Sequence, residues 1–201
     1  VVAIPWKNRG SPVVNADETG WREDGVNGYV WSFSTPEAQY FARARRTKGV
    51  LDEVLGDRFD GVLVSDFYAA YDHYPGAQQR CWAHLLRDAD ELAARHPTDQ
   101  ALAAWVAGLR DLFRRATTFA GGTADPAARR LAKRAYEAEA RAHAQPHVGQ
   151  IGTPQRVLSQ RILDYLAALF EFVLDPAIPA TNNAAERALR DLVTGRKISG
   201  G

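Results

Sequence analysis

Two aspartates in the sequence each close an apolar run. PVVNAD (residues 12–17) ends on Asp17, and GVLVSD (residues 61–66) ends on Asp66. A third carboxylate, Glu186, lies in TNNAAERALRDLV (residues 181–193). At about 100° per residue, Ala185, Leu189, Leu192 and Val193 make one apolar stripe there, Glu186 falls on its flank, and Arg187 and Arg190 turn further round toward solvent. Neighbouring strand ends and a helix flank can bring three carboxylates to one place. Without a counter-ion they repel, and at least one has to stay protonated. A divalent cation removes the conflict. Mg²⁺ is held through one or two carboxylates, with waters and phosphate oxygens filling its remaining positions. Two such ions activate a water or a 3′ hydroxyl and stabilise the oxygen that leaves a phosphodiester.

Each acid also has a purely local explanation. Aspartates cap turns, which accounts for Asp17 or Asp66 taken alone. If Asn183 is the N-cap of the last helix, Glu186 stands at its third position and completes a capping box. Glu186 can equally pair with Arg190 one turn on. The metal reading therefore depends on whether the three acids meet.

The elements that would position them differ along the chain. The first third is rich in β-formers: the Pro12–Asp17 strand, a hairpin with turn signals at Asp24-Gly25 and Asn27-Gly28 before the alternating Tyr29, Trp31 and Phe33, and a third strand from Gln39 to Arg46. Lys48–Leu55 reads as a short helix closed by Gly56, Gly61–Asp66 as a strand buried on both faces, and Gln78–Trp82 as a further strand. From about Ala83 to Leu174 the period is helical. Leu86, Ala89, Leu92 and Ala93 form one stripe, and Leu102, Trp105, Leu109 and Leu112 another. Asp125-Pro126 and Thr153-Pro154 read as helix starts, the second carrying Leu158, Ile162, Tyr165, Leu169 and Val173 on its face. Arg129, Arg130, Lys133 and Arg134 read as a solvated helix face.

Composition sets the outer limits. The 201 residues are 46% hydrophobic and 24% charged, the balance of a globular chain. A formal net charge of +1 means that any nucleic-acid footprint is local. The single cysteine excludes an internal disulfide and an all-cysteine zinc site, and makes a reducing cytoplasm the expected compartment. No apolar stretch approaches the roughly 20 residues that span a bilayer, so no membrane partner is expected. The chain opens on Val and contains no Met, and both ends read as trimmed from a longer polypeptide.

Five blocks carry a resemblance: ADETGWR (16–22), GVLVSDFYAAY (61–71), CWAHLLRD (81–88), TNNAAERALRDLV (181–193) and GRKISGG (195–201). In this order they resemble the DDE transposases of bacterial insertion sequences, specifically the insertion sequence sixty-six family. The resemblance implies an α/β fold: a ribonuclease-H-like mixed sheet flanked by helices, with a mostly α-helical insertion before the last catalytic helix. On this view residues 1–85 are the first part of the catalytic core, 86–178 the insertion, and 179–201 the final core helix. Asp17, Asp66 and Glu186 are then both catalytic residues and ligands of two Mg²⁺ (or Mn²⁺) ions. The implied activity is metal-dependent DNA cleavage and strand transfer, with transposon ends and target DNA as partners and a homo-oligomer as the active complex.

Cys81-x-x-His84 is similar to the Cys/His signature that follows the second Asp in insertion-bearing transposases, which makes Cys81 and His84 auxiliary candidates; Asn183, beside the glutamate in TNNAAERALRDLV, is a further one. If a helix begins at Trp82, His84 instead lies on its polar face with Arg87 and Glu91. Structural zinc takes four ligands, and only Cys81 and His84 are local. Arg187, Arg190, Arg196 and Lys197 flank the glutamate and are candidate DNA-phosphate contacts, and Arg43, Arg45, Arg46 and Lys48 form a second basic cluster. The chain departs from the family at Phe67, where Gly is frequent, and in lacking the usual amino-terminal DNA-binding region. Two other functions fit the same residues: a ribonuclease-H-like nuclease without strand transfer, and an inactive transposase-derived module for DNA binding or oligomerisation.

Overall fold

The computed structural model of the chain describes residues 11–23, 25–56 and 59–198, with side chains as far as 195. The elements run β1 (Val13–Glu23), β2 (Val26–Ser34), β3 (Gln39–Ala44), α1 (Gly49–Leu55), β4 (Val62–Ser65), β5 (Ala77–Arg80), α2 (Trp82–Arg95), α3 (Gln100–Ala120), α4 (Pro126–Ala144), α5 (Arg156–Asp164) and α6 (Asn183–Ile198). They divide into two compact units, Val1–Gln78 with Thr181–Gly201, and Gln79–Ala180. Among the described residues no helix is long and apolar enough to cross a membrane.

The strands form one mixed sheet in the order β3-β2-β1-β4-β5, an α/β arrangement. β1 pairs antiparallel with β2 and β2 antiparallel with β3, whereas β1 and β4 run parallel. Glu23 pairs with Val26, so the first hairpin reverses in two positions, and Gly25 supplies the φ of +78° that such a turn requires. That tight turn fixes the register. Asn27 and Gly28, read from the sequence as a second turn, are consequently carried into the ladder opposite Arg22 and Trp21.

Alternation along the strands gives the sheet two unlike faces. On one, Val14, Ala16, Trp31, Phe33 and Leu63 join Val50, Leu51, Val54 and Leu55 of α1 in an apolar core. α1 has seven residues and no side-chain cap at Lys48, so it is marginal as an isolated helix. Its four buried aliphatics, each worth about 1.5–3 kcal/mol, hold it in place. The other face is polar beneath α6. Asn15 lies opposite Ser34 and Asp17 opposite Ser32, the two serine hydroxyls are 3.3 Å apart, and Asn15 Nδ2 donates to the Ser34 carbonyl. α6 packs on β1 and β2 through Ala185, Ala188 and Leu189. Burial thus centres nearer Ala188 than the sequence stripe implied, and Leu192 and Val193 are only half-buried.

The second unit is helical. Trp82 stacks on Phe113 at 5.1 Å and meets the edge of Phe170 at 5.3 Å. Leu102, Trp105, Leu109 and Leu112 are buried along α3, and Asp125 caps α4 by accepting from the backbone of Ala127 and Ala128. Three expectations change. β5 ends at Arg80, and Trp82 already belongs to α2, whose buried line is Trp82, Leu85 and Ala89; of the anticipated stripe Ala89 is buried, while Leu86, Leu92 and Ala93 are half-buried. α5 starts at Arg156 rather than after Thr153-Pro154, and it gives way beyond Asp164 to two short 3-10 turns. Arg129 is buried, not solvated: it donates to the carbonyls of Ala120, Gly122, Ala124 and Val173. The end of α3 leaves carbonyls without helical partners, and the Arg129 guanidinium supplies donors for them. The two ends of this unit meet where the Trp82 backbone N–H donates to the Ala180 carbonyl at 3.0 Å.

Entry into β4 demands a glycine. A Cβ on Gly61 would lie 2.6 Å from the Pro12 carbonyl oxygen and 2.7 Å from that of Ser11, beside the bond from Val62 N–H to Pro12 O that starts the β1–β4 pairing. Gly61→Ala should therefore cost about 1–3 kcal/mol. The measurement is thermal unfolding, with the melting midpoint lowered by several degrees; an unchanged midpoint contradicts the close approach.

Candidate active site

β1 and β4 run parallel as far as the Asn15–Val64 pair. Asp17 stands two residues beyond that pair on β1. Asp66 stands two residues beyond it on the other chain, just past the end of β4. Counting by twos from Asn15 and Val64 puts both aspartates on the polar, α6-covered side of the sheet. Asp17 Oδ1 accepts from the Glu18 backbone N–H at 3.0 Å, and Asp66 Oδ1 accepts from the Tyr68 N–H at 2.9 Å.

Glu186 is half-buried in the first turn of α6. Asn182 sets that turn. Its carbonyl accepts from the Glu186 N–H at 3.2 Å, and its fully buried side chain donates through Nδ2 to the Ala16 carbonyl at 2.7 Å. The helix therefore begins one residue earlier than the capping-box reading supposed, and Asn183 is its exposed first residue. Tethering Asn182 to the backbone beside Asp17 delivers α6, and Glu186 with it, to the same end of β1.

The electrostatics record the result. The Asp17 carboxyl is pushed up from 3.8 to about 7, first by burial and then by the charges of Asp66, Glu18 and Glu186, against the opposing effect of the Glu18 backbone N–H. At neutral pH this group is close to half-protonated, as expected of carboxylates gathered without a cation. Asp17, Asp66 and Glu186 each offer carboxylate oxygens, the donor type that hard divalent cations take.

The remaining candidates are placed as follows. Arg187 and Arg190 are exposed on α6, whereas the side chains of Arg196 and Lys197 lie outside the described residues. In the second unit Cys81 is buried immediately before α2, and His84 is half-buried in its first turn rather than fully solvated. Of the other basic cluster, Arg43 pairs with Glu23 at 2.7 Å and Arg46 with Glu18 at 2.7 Å, while Arg45 and Lys48 are exposed.

A family model described as "Transposase IS66 family" matches residues 3–201. The chain belongs to the IS66 transposase family. Membership carries a transposase role, with DNA as the partner and a divalent metal as a general requirement of the family. No curated protein and no solved structure matched the chain. Within this family member, Glu18 and Asn182 escaped the sequence reading. Parity along β1 was a usable signal for Glu18, since it places that residue on the apolar side with Val14 and Ala16. Nothing local marked Asn182, whose partner is 166 residues away.

A pH dependence follows from Asp17. Its folded-state pKa lies above the unfolded value, so the native state binds the extra proton between about 4 and 7. The associated stability is complete below that window and is lost as pH rises through it. Asp17→Asn should thus gain on the parent protein, in the absence of metal, by up to a few kcal/mol between pH 4 and pH 8. Unfolding midpoints in chelator across that range test this. A stability difference that does not change with pH contradicts the raised Asp17 carboxyl.

Proposed function

We propose that Asp17, Asp66 and Glu186 are the DDE triad of a transposase catalytic domain built on a ribonuclease-H-like sheet. The observation that carries this reading is the elevation of Asp17 to about 7 by burial together with the charges of Asp66 and Glu186. Acids on β1, at the end of β4 and in α6 act on one another inside a single unit. Local turn capping explains each acid separately but gives no reason for them to converge.

The three carboxylates would hold two Mg²⁺ or Mn²⁺ ions. Bound there, the metals supply Lewis-acid stabilisation of the phosphodiester and a nucleophile active at neutral pH. The protein's own part is placement. The Glu18 and Tyr68 backbone N–H groups orient the two aspartates, and the Asn182 tether fixes the approach of Glu186. Cation binding also displaces the proton that Asp17 otherwise retains. Arg187 and Arg190, exposed on α6, would contact DNA phosphates.

The reaction has two steps of the same kind. Water attacks phosphorus, the P–O bond to the 3′ oxygen breaks, and that oxygen leaves as a 3′ hydroxyl. The hydroxyl then attacks a target phosphodiester, forming one P–O bond as another breaks, so bond count is kept without an external energy source. Transposon ends and target DNA are the substrates, and we assign the active complex to a homo-oligomer acting in the cytoplasm.

Asp17→Asn, Asp66→Asn and Glu186→Gln should each lower cleavage and strand transfer by about 10²–10³-fold or more, with circular dichroism unchanged. The assay uses a plasmid carrying the element's ends, with Mg²⁺ or Mn²⁺, and resolves nicked from joined products. Near-normal activity in any of the three overturns the triad. Nicks without joined products replace the transposase by a nuclease.

A further inference from the structure

Among the described residues, Glu18 is a buried carboxylate beside the proposed triad that the chemistry does not use. Its side chain is only 2% exposed and, by strand parity, lies on the apolar side of β1, away from Asp17. Arg46 donates to its Oε1 through Nε at 2.9 Å and Nη2 at 2.7 Å, and the Tyr71 hydroxyl donates to Oε2 at 2.7 Å. The Arg46 guanidinium also sits 3.9 Å from the centre of the Tyr68 ring, and the Tyr68 hydroxyl donates to the Arg46 carbonyl at 3.1 Å. Tyr68 in turn packs edge-on against Tyr71 and tilted against Trp31. The backbone N–H of this same Tyr68 holds Asp66 Oδ1.

Only the Glu18 end of this ion pair is buried; the Arg46 side chain is 42% exposed, so solvent screens the pair and its net contribution to stability is small. What the pair supplies is direction. The contacts described run from Glu18 through Arg46 to both the ring and the hydroxyl of Tyr68, and from Tyr68 to the carboxylate of Asp66.

We infer that Glu18, Arg46 and Tyr68 are positioning residues that brace the Asp66 carboxylate for metal binding from the opposite side of the sheet. The inference rests on the reading of Asp66 as a metal ligand. Partners that orient a ligand without touching the metal commonly control affinity by 10–100-fold. Arg46 thereby acts on the site through Tyr68, and not as a phosphate contact of the basic cluster.

The test is Mn²⁺ titration by calorimetry, well below the melting midpoint, on the parent chain and on Tyr68→Phe, Arg46→Lys and Asp66→Asn. Tyr68→Phe keeps the ring and removes the hydroxyl tie; Arg46→Lys keeps the charge and removes the two-donor grip. Both should bind Mn²⁺ about tenfold more weakly or worse, with unchanged circular dichroism. Parent-like affinity in either folded variant overturns the brace, and if Arg46→Lys fails to fold, Tyr68→Phe decides alone. Asp66→Asn separates the two levels. If it binds Mn²⁺ as the parent does, the metal-ligand reading falls and the brace with it. If it loses binding while Tyr68→Phe does not, only the brace falls.

Discussion

Parallel pairing of β1 with β4 is the constraint on which the first unit depends. Two parallel strands end on the same side of a sheet, so residues just past their last pair become neighbours without any loop having to reach. The pairing stops at Asn15 and Val64, and the acids stand two residues further on. An antiparallel β4 would have sent Asp66 to the far edge. The glycine at position 61 matters for the same reason, since the backbones must close to within a Cβ radius where this pairing begins.

Past the last pair the Ala16 carbonyl accepts from Asn182, and the polar stripe of Asn15, Asp17, Ser32 and Ser34 lies under α6. Most of a sheet face covered by a helix is apolar. This one gives up hydrophobic burial next to the acids and compensates with hydrogen bonds among its own side chains and strand carbonyls. Successive residues of β1 meet two different electrostatic solutions. Glu18 is met by a guanidinium and a phenol hydroxyl; burial raises its carboxyl, and the two partners offset only part of that rise. Asp17 has like charges for company, and only a single backbone N–H offsets them. One acid faces a cation and a hydroxyl donor, whereas the other faces like charges.

Much of this was legible in the sequence where the signal is local. The two apolar runs ending in Asp, the stripe of α3 and the Asp125-Pro126 start are all written within a few residues. Where two local signals competed, the structure had to arbitrate. Asp24-Gly25 and Asn27-Gly28 are equally good turns, and the reversal at Gly25 carries the second into the ladder. The buried line of α2 keeps Ala89 but takes Leu85 in place of Leu86, because Trp82, the largest side chain of its first turn, takes the interior. Arg129 looked like a surface charge because its acceptors are carbonyls of other elements. The same holds for Asn182 and Glu18, whose partners are set by tertiary packing alone.

The order in which these parts leave the ribosome adds a kinetic dimension. Strands β1 to β4 and two of the acids are made first, but their polar face has no cover until α6 emerges more than a hundred residues later. Tying distant segments together is entropically costly and slow. The second unit shortens that search, because the bond from Trp82 to the Ala180 carbonyl brings its own two ends together. Once it has folded, the chain re-emerges close to where it departed, and α6 faces a short diffusional step instead of a long one. A nascent chain interrupted inside the helical unit would have β1 to β4 with their polar face still uncovered, so the first unit closes only after α6 has been made.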